Sequence, residues 1–176
     1  MKAASRTGLL TILAKVWAYP LWVAVSRSGA DGTVRRDLAR WVECIEVDEI
    51  AGLDEYTQFA RLAGSLEEFR SLIHYRISSL PLPATLLLKR LYPGLATLYI
   101  QTPSIGPGLF IQHGFSTCIN AAEIGENCWI NQDVSIGFSA KGRPVLGDNV
   151  RIAAGAKVFG PIAVGDNATV GANVSV

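Results

Sequence analysis

Two histidines, three cysteines and a scatter of cations are the residues here that could do chemistry. His113 is the most promising of them. An imidazole titrates near neutrality and can take a proton from a hydroxyl, which typically adds about 10²–10⁴-fold in rate. The same residue is equally compatible with an exposed corner position that has no task. His74 lies in a helical stretch and is assigned no role. Cys44, Cys118 and Cys128 show neither a CxxC pair nor metal-ligand spacing. A histidine-bound zinc site of the three-ligand kind would need one imidazole more than His74 and His113 supply, so no metal is expected. Lys141, Arg143, Arg151 and Lys157 can meet phosphates or simply be solvated. A net charge of +1 offers no electrostatic case for nucleic acid.

These residues are carried by a repeat of six that runs from Ile105 to Val176. Aliphatic residues (once a cysteine) open each hexad: Ile105, Ile111, then Cys118 after one extra residue, Thr117. Ile124, Ile130 and Ile136 follow, then a four-residue insertion, Gly142 to Val145. Leu146, Ile152, Val158, Val164, Val170 and Val176 complete the run. The period is wrong for a helix and too long for a hairpin, and it marks a parallel β-helix in which three hexads make a coil. Stacking the coils predicts three interior columns: Ile111, Ile130, Ile152 and Val170; Cys118, Ile136, Val158 and Val176; Ile105, Ile124, Leu146 and Val164. The corners Gly125-Glu126-Asn127, Gly147-Asp148-Asn149 and Gly165-Asp166-Asn167 use residues that tolerate left-handed backbone. His113 is third in its hexad, over Gln132 and Ala154. Cys118 and Cys128 fall on interior positions and read as packed, reduced thiols, which suits a cytoplasm. Val176 is an interior position in mid-coil with no cap, so either the natural chain continues or a neighbouring subunit covers the end.

Residues 1–94 read as an α-helical region and 95–176 as the β-helix. Gly8 to Val25 is apolar but interrupted by Thr11, Lys15 and Pro20, and falls short of the roughly 20 residues of a membrane span. A packed helix, contact with a partner or membrane surface through residues 8–25, and a true span all stay open. Ser26 to Thr33 reads as a linker, and Val34 to Leu62 as one or two amphipathic helices. Ser65-Leu66-Glu67-Glu68 has the pattern of a capping box with Ser65 at the cap. Pro81 and Pro83 end that helix, and Ala84 to Tyr92 forms a short further one.

Five pieces of residues 65–176 resemble the serine acetyltransferase family of hexapeptide-repeat acyltransferases. They are Glu68-Phe69-Arg70-Ser71-Leu72 with Tyr75-Arg76; Ile105-Gly106-Pro107-Gly108-Leu109; the His113 corner; Ile130-Asn131-Gln132-Asp133-Val134-Ser135-Ile136-Gly137; and Gly147-Asp148-Asn149-Val150 running into Ala154-Gly155-Ala156-Lys157. The resemblance implies an all-β left-handed parallel β-helix after the helical region. It implies an acetyl-CoA-dependent O-acetyltransferase in which His113 deprotonates the acceptor hydroxyl for direct transfer. It implies a homotrimer with acetyl-CoA lying along the β-helix wall, against Gly137, Phe138, Ser139, Ala153, Ala154 and Lys157. Gln112 and Arg143 stand at acceptor-binding positions.

The chain also departs from the family. Where the family has Asp before the catalytic His, this chain has Gln112. Where a second His touches serine, it has Arg143. Where an Asp orients the catalytic His, it has Leu98. The paired Asp-Pro of the helical domain is missing as well. The acceptor is therefore either L-serine or a saccharide hydroxyl, with the changes favouring the latter. The location implied is the cytoplasm, or its membrane face if residues 8–25 dock there. A non-catalytic β-helix scaffold is the reading from a different class.

Overall fold

A computed structural model describes residues 2–176, with side chains from residue 8 onward; Met1 lies outside the described residues. The chain divides into two compact units, Met1–Pro93 and Gly94–Val176.

The first unit is helical: α1 (Lys2–Ser28), α2 (Asp31–Ile45), α3 (Asp48–Ala51), α4 (Glu55–Ser65), α5 (Glu67–Arg76) and α6 (Leu82–Leu91). Apolar residues at helical spacing build its core. Leu21 and Val25 of α1, Leu38 and Trp41 of α2, Phe59 and Leu62 of α4, and Phe69 and Leu72 of α5 are all buried. Aromatic edges lock the helices together, with ring centroids 5.1 Å apart for Trp41 and Phe69 and 4.9 Å for Trp22 and Phe59. Asp37, wholly buried, accepts from Arg76 at 2.8 and 3.1 Å, which fastens α2 to α5.

Several local readings need correction. Gly29, at φ 78°, and Ala30 alone separate α1 from α2, so Ser26–Thr33 is no linker. The stretch 34–62 divides further, because Asp48 opens α3 and the Asp54 side chain caps α4 by accepting from Thr57 N at 3.0 Å. Ser65 is not a cap: it is the last residue of α4, still helical, and the extended Leu66 stands between the two helices. Pro83 starts a helix rather than ending one. It sits in the first turn of α6, where its missing N–H costs nothing.

The second unit is a parallel β-helix. Its short strands are β1 (Leu98–Ile100), β2 (Phe110–Ile111), β3 (Thr117–Ile119), β4 (Glu123–Ile124), β5 (Trp129–Ile130), β6 (Ser135–Gly137), β7 (Val145–Leu146), β8 (Arg151–Ile152), β9 (Lys157–Phe159), β10 (Ala163–Val164) and β11 (Thr169–Val170). They form three parallel sheets, ordered β1-β3-β6-β9, β4-β7-β10 and β2-β5-β8-β11. Two interior columns stand as the repeat predicts: Ile111 over Ile130 over Ile152 over Val170, and Ile105 over Ile124 over Leu146 over Val164.

The third column differs. Ile119, wholly buried, pairs with Ile136, while Cys118 is half-exposed and pairs with Ser135 on the outer face. Cys118 is therefore not an interior thiol. At the Gly-x-Asn corners only the asparagines are left-handed, with φ of 55°, 56° and 60° at Asn127, Asn149 and Asn167. The first glycines serve close approach instead: a Cβ on Gly125 would lie 2.6 Å from the backbone of Gly147 in the next coil.

Candidate active site

The backbone ladder shows how His113 is presented. Gln112 N donates to Ile130 O at 2.9 Å, as Asn131 N does to Ile152 O and Ala153 N to Val170 O, both at 3.0 Å. These three residues therefore share one rung position. At the next position Phe115 O accepts from Asp133 N at 2.9 Å, as Gln132 O does from Gly155 N at 3.1 Å and Ala154 O from Asn173 N at 2.9 Å. Phe115, and not His113, is thus the equivalent of Gln132 and Ala154. His113-Gly114 is an inserted pair, and Thr117 is a regular, buried rung residue. After Ile119 the next side is one residue short, so the repeat returns to phase at Ile124.

The insertion projects its histidine. His113 has φ 63° and an exposed side chain, Gly114 is buried beneath it, and Phe115 N donates to His113 O to close the turn. Ser116 (φ 53°) then takes the left-handed place held in later coils by Asp133 (55°), Gly155 (73°) and Asn173 (58°). Among the described residues no side chain is hydrogen-bonded to the imidazole. Leu98, where the resemblance would put an orienting carboxylate, is a buried residue of β1 paired with Thr117.

The other predicted residues fall into two groups at opposite ends of the strands of the β1-β3-β6-β9 sheet. The chain enters this sheet from the corner that carries Gln112, His113, Ala153 and Ala154, and Lys157 is the first residue of β9. Gln112 Oε1 accepts from Asn131 Nδ2 at 2.7 Å. Lys157 Nζ donates to Asp133 O at 2.7 Å and pairs with Asp133 Oδ1 at 3.3 Å. At the exit end, Gly137 ends β6 and lies under the Phe159 ring; a Cβ there would meet that ring at 2.6 Å. Phe138 is exposed, Ser139 and Gly142 exchange backbone bonds of 2.9 and 3.2 Å across a tight turn, and Arg143 is exposed in the same loop. Within one chain Arg143 is therefore not brought to His113.

Between the two ends the sheet's outer face carries Tyr99, Cys118, Ser135 and Lys157 in register. The small residues among them leave room for an extended ligand whose amides can meet backbone groups at either edge. Asn131 and Asp133, quoted only within the 130–137 motif, and Phe159 had no site role in the sequence reading; their signal lies in coil stacking, which brings together residues some 20 positions apart. Buried Cys128 is chemically quiet: its thiol donates to Gly147 O at 3.2 Å, and burial is the main cause that pushes it up to about 11.

No family model matches the chain. Among curated proteins it is similar to the serine acetyltransferase of Helicobacter pylori, 46% identical over 77 residues, which is 41% of this chain and 45% of that protein. It is also similar to that of Staphylococcus aureus, 47% identical over 74 residues, covering 39% and 35%. The chain thus spans under half the length of the curated relatives it matches. Among solved structures, serine acetyltransferase isoform 3 of Entamoeba histolytica in complex with cysteine superposes with a TM-score of 0.62 at 24% identity, over 97% of this chain and 66% of that one. A serine acetyltransferase in complex with CoA gives 0.64 at 21% identity, over 92% and 74%. At these identities the structures establish the fold. Over the matched stretch the chain is thus similar in sequence to serine acetyltransferases, and over nearly its whole length it shares their fold.

Proposed function

We propose that this protein is an acetyl-CoA-dependent O-acetyltransferase with His113 as general base. The observation that carries the reading is the His113-Gly114 insertion. It lifts an exposed imidazole out of an otherwise regular corner, at the edge of a sheet face lined by small residues. A purely structural solenoid has no need of that projection. In the reaction the acceptor oxygen attacks the thioester carbonyl while His113 takes its proton. The carbon–sulfur bond breaks, and the proton passes to the departing thiolate. Acetyl-CoA lies along the outer face between the His113 corner and Gly137-Phe138-Ser139, with Ala153 and Ala154 offering backbone groups. Lys157, already paired with Asp133, exchanges that contact for a phosphate.

The acceptor is L-serine or a saccharide hydroxyl, and the enzyme works in the cytoplasm, where acetyl-CoA is made. It works as a homotrimer. His113 and Arg143 sit at opposite ends of the same strands, so a neighbouring subunit must bring its 138–144 loop to the His113 corner to close a cleft. Thiol release from acetyl-CoA, measured with free L-serine and with a sugar panel, tests the reading. Release that depends on acceptor and is lost in His113→Ala supports it. Binding of acetyl-CoA with no release to any acceptor contradicts catalysis, and no coenzyme binding at all favours a scaffold. An active, monodisperse monomer in light scattering refutes the shared cleft.

A further inference from the structure

We propose that the outer face formed by α1 and α6 rests on an anionic lipid bilayer. On α1, Leu9, Leu13 and Val16 point to solvent at helical spacing, and Val16 is 69% exposed. On α6, Leu82, Leu86 and Leu87 do the same, with Leu82 at 69%. The C-terminal end of α6 is tied to α1. Tyr92, just after α6, donates from its hydroxyl to Trp17 O of α1 at 2.7 Å, and its ring centroid lies 4.6 Å from that of Trp17. Leucines of two helices linked through Tyr92 thus face water, which a soluble unit does not ordinarily maintain.

Charge names the occupant. The sequence of α1 carries Lys2, Arg6, Lys15 and Arg27 with no Asp or Glu, and that of α6 carries Lys89 and Arg90 with none. Lys15 is held at 3.6 Å by Asp54, at the start of α4. Glu55 beside it is engaged by Arg35. Lys89 and Arg90 remain exposed next to Leu86 and Leu87. Exposed leucines beside Lys89 and Arg90, on helices whose own sequences carry no acid, suit the boundary between acyl chains and anionic headgroups. A second copy of the chain, packed by a two-fold, would place like charges together with no acid from either helix to answer them.

The helix lies on the membrane and does not cross it. Gly8–Ser28 is long and apolar enough to span by length and composition. Yet Ala18, Leu21 and Val25 are buried in the core of the unit, so a span would have to tear them out. Among the described residues the exposed apolar row from Leu9 to Tyr19 covers about 16 Å of helix, against the roughly 30 Å of a hydrocarbon core.

Flotation of the full chain with vesicles of phosphatidylcholine, with and without phosphatidylglycerol, tests the proposal without calling on acetyl transfer. The expected result is binding to the anionic vesicles only, weakened by salt. Leu86→Asp with Leu87→Asp should lower it about tenfold or more, and Lys89→Glu with Arg90→Glu several-fold. Both pairs are exposed, so circular dichroism and melting should match the wild type. Wild-type protein that stays in the aqueous fraction with anionic vesicles overturns the proposal, as does binding that neither double variant alters. Self-association lost in the leucine variant, without vesicle binding, assigns the face to a second copy and also overturns it.

Discussion

Deleting His113 and Gly114 together should leave the fold intact and abolish activity. Without them Ile111, Gln112, Phe115, Ser116, Thr117 and Cys118 form a regular six-residue side that leads to Ile119. The ladder partners already stand in those places, since Gln112 N bonds to Ile130 O and Phe115 O to Asp133 N, each at 2.9 Å. Ordering two fewer residues spares roughly 2–4 kcal/mol of backbone entropy. Removing a left-handed histidine spares about 1 kcal/mol more. Against this, the Phe115-to-His113 turn bond is lost, at about 1 kcal/mol, together with the packing of buried Gly114. The net is a gain on the order of 1–3 kcal/mol, or a rise of a few degrees in melting temperature.

The companion substitution His113→Ala keeps the loop. It should shift stability by no more than about 0.5 kcal/mol and lower the rate about 10²–10⁴-fold. Urea unfolding and acceptor-dependent thiol release would be measured on both proteins. A deletion that costs more than about 2 kcal/mol would show that the corner needs the pair for folding. A deleted protein that still turns over at the wild-type rate would remove His113 from the mechanism.

Other positions give sharp expectations. Asp37→Ala takes the bidentate partner from the buried Arg76 guanidinium and should cost about 3–5 kcal/mol in urea unfolding; a loss below about 1 kcal/mol would refute the account. Burial of His74, whose Nε2 bonds Tyr92 O at 2.7 Å, lowers its pKa from 6.5. The imidazole is neutral in the fold, so its contribution is complete above the unfolded pKa and is lost as pH falls through the lower folded one. Thermal melts taken from about pH 7 to about pH 5 should show a decline that His74→Gln flattens. Cys118 faces outward and Cys128 is buried with its thiol at about 11, so alkylation of the native protein followed by mass spectrometry should modify Cys118 before Cys128. Equal rates would contradict the strand register. Gln112→Asp places a carboxylate at the corner and should raise serine-dependent over sugar-dependent thiol release; unchanged serine use would separate residue 112 from the acceptor.

The hexad pattern was enough to place two of the three interior columns, because aliphatic residues at fixed spacing have only one way to face inward. It failed at Cys118 for a specific reason. The true path has two extra residues at His113-Gly114 and one fewer between Ile119 and Ile124, a net excess of one. A single extra residue at Thr117 restores the same phase at Ile124, and a cysteine is apolar enough to fill the slot. Periodicity reports the sum of insertions; only the hydrogen-bond ladder reports where each one sits. The chemistry suffered in the same way. His113 stood out by residue type, but its projection from the corner was hidden by the misplaced insertion. Lys157 and Asp133 are far apart in sequence and meet only because one coil stacks on the next. In the helical unit the Ser65 pattern matched a cap, yet α4 continues through that residue, so a local signature gave way to the helix before it.

The Gln112–Asn131 bond bears on the acceptor. With Gln112 Oε1 accepting from Asn131 Nδ2 at 2.7 Å, the side chain has two amide N–H donors and one remaining lone pair to offer. The N–H groups can donate to a hydroxyl or carbonyl oxygen, and the neutral amide holds the ammonium of a free amino acid far less strongly than a carboxylate would. Arg143, supplied from the far end of a neighbour's sheet, would add a second donor set and a positive charge. A cleft with an amide donor on one wall and a guanidinium on the other repels an ammonium and welcomes a ligand rich in oxygen. Within the proposed reaction this weighs toward a saccharide hydroxyl over free serine. In that reaction the proposed acceptor-side pair, Gln112 and Arg143, changes the ligand the cleft prefers, while the proton transfer assigned to His113 is the same for either hydroxyl.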